Sequence, residues 1–130
     1  LPKGASLDGA SLSRAILFRA LLAGASVQHA NLTECSFKEA KLDGARFQAS
    51  NMQQAKLHAA SARDADFSHA ALQGALLHEV KLEGANFTGA DLRLTDFTRA
   101  VVDRTDFRGA WHVDHAIFDF VIGEPVGTLP

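Results

Sequence analysis

Ala85-Asn86-Phe87-Thr88-Gly89-Ala90-Asp91-Leu92 holds one complete five-residue unit and the start of the next: alanine, a small polar residue, a large apolar residue, then two freer positions. The unit runs in both directions, without insertion or deletion, from Ala5 to Ala110. We call the large residue the centre. The position two before it occurs 22 times, and 17 of these are Ala; the others are Cys35, Ser50, Val80, Thr95 and Thr105. Of the 21 centres from Leu7 to Phe107, eleven are Leu and six are Phe, with Val27, Met52, Ala62 and Val102 completing the column. No other regularity in the chain is as strong.

A period of five fits neither a strand, with a repeat of two, nor an α-helix, with 3.6. Residues two apart on an extended chain point to the same side, so the alanine and the centre can both face inward. The remaining positions must then turn a corner. Eight of the ten glycines (4, 9, 24, 44, 74, 84, 89 and 109) stand two places after a centre. Glycine at one recurring phase marks a recurring backbone need, such as a positive φ or a tight turn. A bend every five residues gives a coil, and stacked coils bury together what one repeat cannot bury alone.

These repeats, as quoted above, resemble the A(D/N)LXX pattern of the pentapeptide-repeat family. The resemblance covers roughly residues 5 to 119. It implies an all-β fold, a right-handed quadrilateral parallel β-helix with four repeats per coil. About five and a half coils are expected, a rod on the order of 26 Å long at a strand spacing of roughly 4.8 Å. Residues 1–130 then form one pentapeptide-repeat domain, with 1–4 as an N-terminal edge and 111–130 as an irregular C-terminal cap and tail.

Composition narrows the function. The 13 basic and 15 acidic residues nearly balance, for a formal charge of −2. Neither nucleic acid nor a membrane surface is an expected partner. No apolar run reaches the roughly 18 residues of a membrane-spanning helix. One cysteine precludes an internal disulfide framework. The chain starts Leu1-Pro2-Lys3, without methionine, and reads as a fragment or processed product; a cytoplasmic location is favoured.

Along the chain, Pro2 falls at a centre phase and blunts the exposed edge of the first coil. Ile16, Phe18 and Leu21 fall at outward positions in that coil, whereas the stacked equivalents in the next are Ser36, Lys38 and Lys41. An outward apolar patch limited to one coil implies a cover: a missing adjacent domain, a second copy or a protein partner. Cys35 reads as a small buried member of the alanine column rather than a reactive thiol. At the other end His112 stands where a Leu or Phe centre is due, and Ile117 to Ile122 is nearly continuous apolar sequence. Trp111, Val113, Phe118 and Phe120 are therefore expected to cap the last coil, to contribute a homodimer contact, or both, as C-terminal elements do in some family members.

No constellation carries catalysis. The chain has no serine–histidine–acid signature and no phosphate-binding glycine loop, and a filled rod offers no obvious pocket. Lys38, His58 and His78 stack on one face near Glu39 and Glu79, and His112, Asp114 and His115 cluster near the C-terminus; neither set is assigned a metal, and no cofactor is expected. Asp43, Arg63, Glu83 and Asp103 form one outward column whose signs alternate in part, which reads as cross-coil ion pairing. Family resemblance brings two functional expectations. The leading one is a non-enzymatic interaction or scaffold module within a larger bacterial protein, since such domains are appended to diverse bacterial polypeptides, including secretion-associated ones. The alternative is a DNA-mimicking regulator of type II topoisomerases; a metal-dependent enzyme on the histidine face is a distant third. Outward charges summed by face come to −1, −1, 0 and 0, with Lys3 and Glu124 cancelling. A mimic of DNA, with about one charge per 1.7 Å of axis, needs a strongly acidic side. Ala62, the one small centre, implies a local void that Val80 fills in part. Ala62→Leu is accordingly expected to leave the thermal melting midpoint nearly unchanged; a strong loss of stability would show the void to be absent.

Overall fold

Backbone pairing between residues twenty apart sets the architecture. The computed structural model describes residues 2, 4–127 and 129–130. Leu1 and Lys3, assigned above to the N-terminal edge, lie outside the described residues. Parallel bridges join Ser6 to Ser26, Ser11 to Asn31, Ile16 to Ser36 and Leu21 to Lys41, and the same offset holds up to the bridge between Asp91 and Trp111. Four repeats therefore complete one turn, giving the right-handed quadrilateral β-helix. We number its faces by their first centres: Leu7 for the first face, Leu12 for the second, Leu17 for the third and Leu22 for the fourth.

One repeat shows the rule. Leu32 N–H donates to the Asn51 carbonyl in the following coil (2.7 Å), and Asn31 N–H donates to the Ala10 carbonyl in the preceding one (2.9 Å). Glu34 N–H donates to the Gln53 carbonyl (2.9 Å), and Cys35 N–H closes the corner on the Leu32 carbonyl (3.0 Å). Only the amide just after the centre finds no carbonyl. The small polar residue just before the centre satisfies it: Thr33 N–H donates to Asn31 Oδ1 (3.2 Å), Ser68 to Asp66 (2.9 Å), Thr88 to Asn86 (2.8 Å) and Thr98 to Asp96 (2.9 Å). That local Asx turn is the physical reason for Asp or Asn at this phase. Where Ser26 and Ser61 stand there instead, an aspartate of the preceding coil takes over. Asp8 accepts from Gln28 N–H and Asp43 from Arg63 N–H, each also accepting the serine hydroxyl at 2.6 Å.

The corner after each centre is left-handed whether or not glycine occupies it. Arg14, Glu34, Ala49, Asp64 and Leu94 hold φ between 57° and 64°, close to Gly9 at 71°. This conformation costs a non-glycine residue about 1–2 kcal/mol. Coil pairing on both sides holds it in place.

Inside, from Ala25 to Ala100, centres and alanines are buried throughout. On the first face Phe47, Phe67, Phe87 and Phe107 stack with ring centroids 4.9–5.3 Å apart. Phe97 of the third face meets Phe87 and Phe107 edge-on at 5.4 Å. Ala62 and Val80 are both fully buried. The buried hydroxyls are satisfied across coils: Thr95 Oγ1 donates to the Leu72 carbonyl (2.8 Å) and Thr105 Oγ1 to the Leu82 carbonyl (2.7 Å). Ser50 goes further, accepting from Ala30 N–H (3.1 Å) and donating to the Val27 carbonyl, so its hydroxyl is inserted into the corner bond of the coil beneath.

The C-terminal stretch departs from the irregular cap expected of it. After Trp111, a left-handed His112 leads into a short 3-10 helix, Val113–His115. That helix absorbs one extra residue, and the bridges resume at an offset of twenty-one, Asp96 to Ile117 and Val101 to Ile122. Phe118 thereby returns to a centre position, stacked on Phe97 at 5.0 Å, and Phe120 takes the left-handed corner two places later with φ 57°. Val113 and Phe118 pack on the core; Trp111 and Phe120 point outward instead of covering it. Leu129, in the tail, packs against the end of the core. Because Ser50→Ala leaves the Ala30 amide without the hydroxyl that bridges its corner, it is expected to cost about 1–2 kcal/mol in denaturant melts.

Candidate interaction surfaces

The outward surface of a β-helix is a set of ladders, each made of residues twenty apart. Along the middle coils these ladders are polar: among the described residues, no large hydrophobic side chain is exposed between positions 22 and 93. The two ends differ. In the first coil Ile16 is 81% exposed, Leu21 59% and Phe18 47%. In the last coil Trp111, Phe120, Ile117 and Ile122 are exposed, with Leu94 at a nearby corner. Periodicity assigned Ile16, Phe18 and Leu21 to the outside from the sequence. It missed Ile117 and Ile122 as outward residues because the inserted residue shifts their phase.

Bridges place these residues in shared columns. Ile16, Ser36, Lys56, Leu76, Asp96 and Ile117 form one ladder on the third face, and Leu21, Lys41, Ser61, Lys81, Val101 and Ile122 form one on the fourth. Each end also sets an arginine over an aromatic ring: Arg19 lies 4.9 Å from the centre of Phe18, and Arg99 5.4 Å from that of Phe120. Ion pairs tie neighbouring coils, Arg14 to Glu34 (2.8 Å), Arg19 to Glu39 (3.2 Å) and Arg63 to Glu83 (3.4 Å). They are exposed, so each contributes only tenths of a kcal/mol. Asp43, expected in that last ladder, instead binds Ser61 and the Arg63 amide.

Other groups lack the geometry of a chemical site. His58 and His78 stack with centroids 4.3 Å apart, each with a buried Nδ1 that finds no partner. No third ligand joins them: among the described residues, no three His, Cys, Asp or Glu side chains converge as a metal site would require. His112 and His115 turn to different carboxylates, Asp91 at 2.9 Å and Asp114 at 3.1 Å. Cys35 is fully buried, and burial pushes its thiol up to about 11, far from a reactive thiolate. An open groove of about 300 Å³ runs past Lys41, Ser61, Arg63 and Lys81, and another of about 400 Å³ lies between Asp114, Phe118, Asp119 and Pro130. Among the described residues, no helix is long and apolar enough to cross a membrane.

A solenoid with a filled core and ladders for a surface belongs to the class of β-helical repeat proteins. The comparison with known families makes this specific. Residues 10–87 match the pentapeptide repeat region and residues 75–110 the pentapeptide repeats in eight copies. The chain belongs to the pentapeptide-repeat family. Among solved structures it is similar to the pentapeptide-repeat protein Rfr23 of the cyanobacterium Cyanothece 51142, at 19% identity and TM-score 0.62, covering 79% of this chain and 64% of that one. It is also similar to a pentapeptide-repeat protein of the Arabidopsis thaliana thylakoid lumen, at 28% identity and TM-score 0.61, covering 72% and 60%. Trypsin-treated QnrB1, a plasmid-mediated fluoroquinolone resistance protein, matches at 16% identity and TM-score 0.53, covering 84% and 77%. The match thus spans less than two thirds of the first two chains. No curated protein sequence matches.

The contact between His112 and Asp91 gives the C-terminal corner a pH response. Burial works against the Asp91 charge, but hydrogen bonds from His112, the Arg93 amide and Gln73 outweigh it and hold the carboxyl below the ordinary 3.8. A carboxyl depressed on folding adds stability above its unfolded value and loses it as the pH falls through the folded one. His112→Ala is expected to move the Asp91 midpoint back towards 3.8, read by NMR titration of the side-chain carboxyl. An unmoved midpoint would mean that His112 does not hold it.

Proposed function

We propose that the chain is a non-enzymatic protein-interaction or scaffold module, part of a larger bacterial polypeptide, that docks through its first coil. The observation that carries this reading is the contrast between that coil and the next. Ile16 gives way to Ser36 and Leu21 to Lys41 along continuous bridge ladders, and the side chains change from apolar to polar at once. An exposed Ile, Phe and Leu grouped at one corner of a small rod make a contact surface of the kind that binds protein. The half-buried Leu7, Leu12 and Leu17 border it at the end of the core.

The charge distribution favours this reading over a topoisomerase regulator that imitates DNA. Every face carries both cations and carboxylates, and the whole chain carries only −2. A scaffold also needs no pocket, whereas the two open grooves would expose a reacting group to bulk water. A photo-crosslinking amino acid at position 18, compared with one at position 98 in the same column, tests the proposal in cells of the source organism. Adducts at 18 and none at 98 are expected. Equal capture at both positions, or capture at neither, would overturn it.

A further inference from the structure

The first coil is covered over its fourth face and open over its second and third. By the register of twenty, Pro2 and Gly4 fall in the columns of Leu22 and Gly24. Leu22 is accordingly buried, at 4% exposure, whereas Leu12 and Leu17, the centres of the second and third faces, stay half-buried. Ile16 and Phe18 are exposed at the same opening.

The backbone along this opening is unused. Among the described residues, the Ser11 and Ile16 amides make no hydrogen bond, although one coil later Asn31 N–H donates to the Ala10 carbonyl and Ser36 N–H to the Ala15 carbonyl, both at 2.9 Å. Among the same residues, the carbonyls of Ser11, Ser13, Ile16 and Phe18 accept none, although those of Asn31, Thr33, Ser36 and Lys38 each accept from the coil before. Donors and acceptors thus recur along one strand edge from Ser11 to Phe18. Such an edge is completed by another strand, because an extended backbone presents matching groups at the same spacing. A whole coil does not fit, since Pro2 and Gly4 already hold the fourth side; a segment spanning two faces does.

Side chains specify what that segment carries. Arg14 and Arg19 stand at the two corners, each met from the next coil by a glutamate, Glu34 at 2.8 Å and Glu39 at 3.2 Å. Their side chains remain 81% and 68% exposed, so an acid at the same phase on the open side can meet them as Glu34 and Glu39 do. Large apolar residues two places before each acid would close over Leu12 and Leu17.

We propose that the first coil docks an extended segment of its protein partner by strand addition. The segment runs parallel to Ser11–Phe18, with apolar side chains five residues apart turned onto Leu12 and Leu17 and acidic ones set over Arg14 and Arg19. This rests on the docking role assigned to the first coil and names the chemistry of what docks there. Main-chain bonds supply the affinity of such a contact, and the alternate side chains supply its selectivity.

The probe is a synthetic peptide copying residues 30–39 with Cys35→Ala, the stretch that pairs with Ser11–Arg19 from the other side in the folded chain and carries Glu34 and Glu39. It is titrated into isotope-labelled protein and followed by NMR. The Ser11 and Ile16 amide signals are expected to shift to saturation, and their hydrogen exchange to slow by about tenfold or more. Ser11→Pro removes a donor that bonds to nothing in the chain, so circular dichroism melts are expected to match the wild type while the peptide binds about tenfold more weakly. Ser11→Ala keeps the amide and is expected to bind as the wild type does. A peptide that moves neither amide, a Ser11→Pro protein that binds as tightly as Ser11→Ala, or equal binding of a shuffled peptide would overturn strand addition. The exchange measurement is made on the wild type and does not depend on how the proline variant folds. Adducts at position 18 in cells read the docking role separately: if they persist when strand addition fails, the first coil docks through side chains alone.

Discussion

A left-handed residue at every fifth position is the constraint on which the fold depends. Each corner must turn through roughly a right angle and return the next three residues to an extended path. Only the left-handed region does this while leaving the centre and the small residue before it facing inward. Eight glycines adopt it at no steric cost, but Arg, Glu, Gln, His and Leu adopt it as well. What holds those residues there is the coil on either side. Leu32, Asn31 and Glu34 all bond to neighbouring coils, so relaxing one corner would break several inter-coil bonds at once. The cooperativity of the rod comes from this coupling.

The same coupling explains the division of labour between positions. The inward small residue is mostly Ala, which fills the space beside each centre without crowding the corner. Where a hydroxyl occupies that position, at Ser50, Thr95 and Thr105, it stays buried because a carbonyl of the preceding coil lies within reach. The Asp or Asn before the centre answers a different need, the one amide per repeat that no carbonyl serves. Side chains facing outward have no such duties, and their variation is where a repeat protein can acquire specificity. In this chain that variation is concentrated at the ends, where apolar side chains replace the polar ladders.

Most of this was legible in the linear pattern. Period five, the alanine column and the phase of the glycines led to the coil and to the outward placement of Ile16, Phe18 and Leu21, and the family resemblance supplied its four faces. Reading stopped at His112, because a strict period placed a histidine where a centre was due. A six-residue step from Ala110 to Ala116 restores the pattern, with Ala116 and Phe118 as the inward pair. The signal was present but needed a turn that could absorb one residue, and the short helix at Val113–His115 supplies it. The exposed Ile117, Phe120 and Ile122 were hidden by the same slip, since one residue of shift moves a side chain from the core to the surface.

The sequence by itself determined the repeat, the inward columns, the corner positions and the near-neutral surface, because each follows from a local period that survives without knowledge of partners in space. Only the tertiary structure decided how the fifth amide is satisfied, which carboxylate each arginine and histidine meets, and that the apolar residues of the two ends share columns. Those relations join residues about twenty apart, or residues at opposite ends of the rod. Their geometry exists only once the coils are stacked, and the one-residue correction near the C-terminus had to be made before the last column could be aligned with the first.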